Sequence, residues 1–131
     1  FKIFKEAITR KNGKVKQVLM EPKIISGIGN IYSDEILWLA KVNPFRKTGE
    51  LKEIELKNIY SGIKKTLKKA LRLGGTSISD YRNFFGKPGH YSDKRSVYRM
   101  ESRLCRRCGT PIKRVKMGGR SAHFCPACQT A

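Results

Sequence analysis

Residues 105–128 read CRRCGTPIKRVKMGGRSAHFCPAC, with Cys105 and Cys108 in one Cys-x-x-Cys pair and Cys125 and Cys128 in another. These are the only 4 cysteines in a chain of 131 residues. Two close thiolates make half of a tetrahedron and a second pair completes it, and this separation falls in the zinc range. With four thiolates in place no position is left for water, so one structural Zn ion is expected rather than a catalytic one. Thioredoxin-like redox pairs are the alternative, but no βαβ pattern surrounds these cysteines. The pairing also argues against a disulfide framework and for a reducing, intracellular setting. Between the pairs, Ile112–Lys116 and Ser121–Phe124 read as two strands joined at MGGR, a zinc-ribbon hairpin with Lys116 and Arg120 near its tip. A hairpin this small buries little, so the metal must supply much of its folding energy. Arg106, Arg107, Lys113, Arg114, Lys116 and Arg120 make it unusually cationic. That charge is either a solvated surface or a set of phosphate contacts, and its concentration on a small finger favours phosphate. His123 is either a spare ligand or an ordinary strand residue; four thiolates favour the second.

The whole chain repeats the charge signal. It carries 29 Lys+Arg against 10 Asp+Glu, a formal net charge of +19. An excess of this size implies a polyanionic partner, nucleic acid by default. A membrane surface is the competitor. No apolar run approaches membrane-spanning length, and no signal-peptide or lipidation pattern is present, so no membrane partner and a cytoplasmic location are expected. Hydrophobic residues make up 39% of the chain, enough for a modest core in one domain or two small ones.

Upstream of the cysteines the pattern is helical. Ile3, Phe4, Ala7 and Ile8 have helix spacing in residues 3–9. VKQVLM (15–20) is short and limited by Pro22. SGIGN (26–30) is a turn, with Asn30 suited to cap a helix running from about Ile31 to Lys41. Its apolar face would be Ile31, Tyr32, Ile36, Leu37, Leu39 and Ala40. Asp34 and Glu35 on this helix suggest acid–base work; first-turn acids favoured by the helix dipole, or partners of a buried base, are the plainer readings. Trp38 and Phe45 read as core. The longest helix spans 52–73, with Ile54, Ile59, Ile63, Leu67, Ala70 and Leu71 near helical period, no conventional N-cap, and Gly74–Gly75 at its end. Residues 76–94 form a glycine- and aromatic-rich loop of the kind that carries function. SVYRM (96–100) reads as a short strand. The fold class is therefore mainly α, followed by a four-cysteine β-hairpin.

The words GIGNIYSDEILW, ALRLGGTSISDY, GKPGHY, SVY, CRRCGTPIKR and GRSAHFCPACQ occur in this order from residue 27 to residue 129. In that order the chain resembles the C-terminal half of the formamidopyrimidine-DNA glycosylase / endonuclease VIII family, on the formamidopyrimidine side. The resemblance implies a helix–two-turns–helix domain over 1–94 and a zinc-finger hairpin over 95–131. It implies a monomer that grips double-stranded, damaged DNA for a base-excision-repair glycosylase/AP lyase acting on oxidised purines. Asn30 would contact phosphates flanking a flipped nucleotide, and Arg120 would reach the same backbone. Lys16 matches a basic position near the DNA and Tyr98 an aromatic beside the backbone. Tyr32 would lie on the lesion side. The loop of about 76–91, with Thr76, Ser77 and Tyr81, would close over the extruded base. Binding that positions a duplex without reading its sequence suits a damage searcher.

The family's nucleophile, an N-terminal proline amine followed by glutamate, has no counterpart in a chain that begins FKIFKE. The N-terminal catalytic half is expected to be missing, possible in trans, and the chain is expected to bind rather than cut. A free-standing nucleic-acid-binding module on the same scaffold is the alternative. A ribosomal-type RNA binder would share the basic helices but leave the GRSAHFCPACQ finger unexplained.

Overall fold

The computed structural model describes residues 1–72 and 95–131. Among these residues four α-helices precede a two-stranded antiparallel hairpin: α1 Lys2–Arg10, α2 Val15–Leu19, α3 Asn30–Ala40, α4 Glu53–Arg72, β1 Lys113–Met117 and β2 Arg120–Phe124. A 3-10 turn, Thr48–Glu50, lies before α4. The fold is mainly helical with a zinc-ribbon hairpin. Gly74, Gly75, Thr76, Ser77, Tyr81 and the loop of 76–91 lie outside the described residues.

The main core gathers Ile8, Val15, Val18, Leu19, Ile28, Ile36, Leu37, Val42, Leu56 and Ile59, one apolar face from each helix. α3 and α4 approach closely because Gly62 has no side chain. A Cβ there would stand 3.3 Å from the carbonyl oxygen of Ile36. Mid-helix glycine is costly, and here the close crossing is its return. Ile3, Ile54 and Leu71 fit the apolar period but are exposed, as is Leu39 to a lesser degree. Ile59 and Ala70 of the expected stripe are buried, and Leu56, Gly62 and Thr66 complete the buried face of α4.

Three boundaries differ from the sequence reading. Gly29 is the N-cap of α3, and Asn30 is already helical. The carbonyl of Asn30 accepts bonds from Lys16 Nζ (3.2 Å) and Ser33 Oγ (3.0 Å), which holds the residue inside the first turn. α4 does have a cap. Glu55, in its third position, reaches back to the N–H of Lys52 at 2.7 Å, half of a capping box. Residues 96–100 are a turn rather than a strand. The N–H groups of Ser96, Val97 and Tyr98 all donate to the carboxylate of Glu35, at 2.6, 2.8 and 2.9 Å. Arg99 follows with a left-handed φ of 55°. α3 ends at Lys41, also left-handed, with Val42 N–H reaching Leu37 O in a Schellman closure.

The hairpin strands begin one residue away from their expected starts, and Gly118–Gly119 form the tip. Gly118 takes φ +61°, as a tight two-residue turn requires. β2 packs along α3. Two buried polar contacts tie the cysteine unit to the helices. Asn43 Nδ2 donates to Gln129 O at 2.9 Å, and Gln129 Nε2 donates to Val42 O at 3.0 Å. Gln129 Oε1 accepts the N–H of Cys125 at 2.8 Å, leaving this buried amide well satisfied.

Candidate functional site

The cysteine unit meets the demands of a tetrahedral ion. Its four sulfurs lie within 4.8 Å of one another. Cys105–Cys128 are 3.9 Å apart and Cys108–Cys125 3.4 Å. Four sulfurs each about 2.3 Å from a shared zinc stand about 3.8 Å apart. Hydrogen bonds support negative charge on the sulfurs: Arg107 N–H and Trp38 Nε1 both donate to Cys105, and Cys128 N–H donates to Cys125. Thr110 holds the Cys108 thiol down to about 6. Burial and the neighbouring thiols push Cys128 up to about 12. Four such groups cannot all ionise beside one another without a cation. Zinc would supply charge and cross-linking, with no coordination position left for reaction.

His123 is not part of this set. It is buried, with Nδ1 2.8 Å from Asp34 Oδ2, and its own N–H donates to the same oxygen at 3.1 Å. Asp34 Oδ1 accepts Lys16 Nζ at 2.6 Å. Asp34 and Glu35 are thus structural partners deep in α3. They lie beyond its first turn, so the dipole reading does not apply. Burial pushes the Glu35 carboxyl above its ordinary range against the pull of its three backbone donors.

Asn30, Tyr98 and Arg120 come together, with Arg99, Arg114, Lys116 and the two tip glycines, around an open hollow of about 460 Å³. No acidic side chain is among its described lining residues. Arg120 is exposed at the rim. The Oδ1 atom of Asn30 is buried without a hydrogen-bond partner. Behind it stands the positive end of α3, an 11-residue helix. Tyr98 is buried, its ring edge-on to His123 and the Arg99 guanidinium 5.6 Å from its centroid. Lys16 lines a second hollow on the other side of the hairpin tip, with Gln17, Met20 and Arg120. Its ammonium is nearly inaccessible and donates to Asn30 O, Ser33 Oγ (3.1 Å) and Asp34 Oδ1. Burial lowers its pKa, Asp34 opposes the shift, and nearby Arg120 adds to it. Tyr32 is half-buried against the main core. Trp38 is partly buried, with the Arg107 guanidinium 3.9 Å over its ring. Phe45 is also partly buried, edge-on to Phe124.

Sequence reasoning did not single out Gln129 or Asn43, and it counted Arg107 among the cations facing phosphate; all three instead hold the cysteine unit against α3 and the residues that follow it. The polar character of Gln129 next to the last cysteine was the available signal. No local pattern tells that its partner is Val42.

Residues 1–82 match the model of the formamidopyrimidine-DNA glycosylase H2TH domain. The chain belongs to the formamidopyrimidine-DNA glycosylase family. Residues 104–131 match the zinc finger found in FPG and IleRS, which agrees with a structural zinc at the four cysteines. The formamidopyrimidine-DNA glycosylase of Streptococcus mutans is 41% identical over 128 residues, covering 98% of this chain and 47% of that protein. The one from Prochlorococcus marinus is 43% identical over 125 residues, covering 95% and 43%. The chain therefore spans about half the length of the curated family members it matches. Among solved structures, the complex between the Lactococcus lactis Fpg and an abasic site containing DNA superposes with a TM-score of 0.91. It is 39% identical and covers 99% of this chain and 48% of that one. No helix among the described residues is long and apolar enough to cross a membrane.

Proposed function

We propose that this chain grips the backbone of damaged double-stranded DNA through the Asn30–Arg120 hollow. It would serve as the DNA-holding part of a base-excision-repair glycosylase/AP lyase acting on oxidised purines. The observation that carries this reading is the hollow itself: a helix N-terminus, a carboxamide and an exposed arginine around one concavity whose described lining holds no acid. Such a site attracts an anion by dipole, hydrogen bonding and charge together. Arg120 can fork two phosphate oxygens, which a lysine would not reproduce. Family members of known structure are described with abasic-site, Fapy-dG and carbocyclic 8-oxo-G containing DNA, which points to a damaged duplex as the ligand.

Within this reading Asn30 and Arg120 touch phosphate, Tyr98 shapes the floor between them, and Tyr32 faces the lesion side. Lys16 has its three protons engaged inside the fold. Its role is to hold the backbone of Asn30 in place beneath the phosphate. Closure over the base is assigned to the loop of 76–91, and the excision chemistry to a catalytic half acting with these residues. Borohydride trapping on an abasic duplex with these 131 residues alone is expected to give no adduct; a stoichiometric adduct would locate a nucleophile among them.

The test is titration of a short duplex carrying an abasic analogue against Asn30→Ala and Arg120→Ala. Each variant is expected to weaken binding about tenfold while keeping its thermal transition and zinc content. Unaltered affinity in both would reject the clamp.

A further inference from the structure

The two ends of the proposed clamp come from elements far apart in sequence, and a single buried carboxylate joins them. Asp34 is fully inaccessible, and Lys16 and His123 nearly so. Its Oδ1 takes the ammonium of Lys16, which also holds the carbonyl of Asn30 at 3.2 Å. Its Oδ2 takes both the ring Nδ1 and the backbone N–H of His123. His123 lies on β2, three residues after Arg120. An unbroken series of bonds thus runs from Asn30 through Lys16 and Asp34 to the strand that begins with Arg120.

We propose that Asp34 is a positioning residue that sets the register of β2 against α3, so that Arg120 and Asn30 engage one stretch of DNA backbone as a unit. The proposal rests on the clamp reading above. Binding the ring and the N–H of the same residue fixes where the strand lies along α3 as well as which face it turns. A strand advances about 3.3 Å per residue, and a slip of one residue turns each side chain to the opposite face. Such a slip would carry Arg120 out of the hollow. Apolar contacts alone hold register less sharply, whereas a buried, directional polar set specifies it, and single buried polar groups are known to serve in this way. The arrangement also explains why a lysine is kept inside the fold. Its charge is balanced by Asp34, and its position clamps the first turn of α3.

A double-mutant cycle separates positioning from general stability. Affinity for the abasic-analogue duplex is measured for the native chain, Asp34→Asn, Arg120→Ala and the double variant, with zinc content and thermal transition recorded for each. Asp34→Asn is expected to weaken binding about tenfold. Added to Arg120→Ala it is expected to cost no more than about twofold further, because residues acting through one another are not additive. Where Asp34→Asn loses zinc or its transition, the same cycle is run with His123→Phe, which leaves Lys16 paired and keeps a ring against Tyr98. Full additivity, or native affinity in a folded Asp34→Asn chain, overturns the proposal. If instead Arg120→Ala itself binds as the native chain does, the clamp fails and the positioning role with it.

Discussion

Gly29 is a glycine that the described fold does not require. Its φ of −100° is open to any residue, and a Cβ on it would meet nothing within 4 Å. A glycine where folding has no use for one suits close approach of a ligand to the backbone. Gly29→Ser would place a better capping residue at the start of α3. It is expected to raise stability by a few tenths of a kcal/mol. The same change is expected to weaken DNA binding several-fold, because the new side chain stands where the phosphate approaches. Denaturant unfolding and duplex titration on one protein sample check both halves; a gain in stability with unchanged affinity would remove Gly29 from the interface. At this scale the sequence was informative about residue types and less so about their surroundings. Asn30, Tyr98 and Arg120 stood out as candidates in the sequence, and the structure gathers them around one hollow. The burial of Lys16 was not legible. A lysine in a short basic helix carries no sign that a carboxylate eighteen positions later will take it inside. The partner reading of Asp34 was available in the sequence, but the identity of two partners on two elements was not.

Elements were read well where a long period dominates and poorly where side chains capture the backbone. The long helix came through because its apolar stripe spans many turns, although its exposed ends matched the stripe equally well. Its close packing on α3 rests on Gly62. Gly62→Val is expected to destabilise the chain by about 1–3 kcal/mol, since a branched side chain must displace the α3 backbone; a melting temperature equal to the native one would contradict that crossing. SVYRM looked extended because its residues favour strands. Three of its N–H groups instead bond to Glu35, a tertiary partner that propensity cannot foresee. The start of α4 is stabilised by Glu55, which also binds Arg46 Nη1 at 2.6 Å. Slight burial raises the Glu55 pKa, but the bonds from Arg46 and the Lys52 N–H outweigh it and hold it below the ordinary 4.5. A lowered carboxyl value means stability that is present above the ordinary value and lost as pH falls through the folded one. Glu55→Gln is therefore expected to cost about 1 kcal/mol near neutral pH and nothing in strong acid. A cost independent of pH would show that charge is not its source.

Across the whole molecule, the helices and the cysteine unit are joined by the Asp34, Glu35 and Gln129 contacts and by the stacking of Arg107 on Trp38. Trp38 is the single tryptophan, and it donates a hydrogen bond to Cys105. Removing zinc with a chelator is expected to unfold the region after Leu104 while α1–α4 keep most of their helical signal. Trp38 emission is expected to shift to longer wavelength as its cover is lost; an unchanged spectrum would show that zinc does not hold the unit on α3. The general outline, a basic helical body and a four-cysteine hairpin, was visible in charge and spacing. The joints were not, because each pairs residues more than sixty positions apart with no local pattern. The central claim is that this fold makes one phosphate clamp of Asn30 and Arg120. Its most direct test is the salt dependence of duplex affinity for the native chain and for Arg120→Ala. Native affinity is expected to fall steeply with salt, with a log–log slope smaller by about one in the variant. Equal slopes and equal affinities for the two proteins would contradict it.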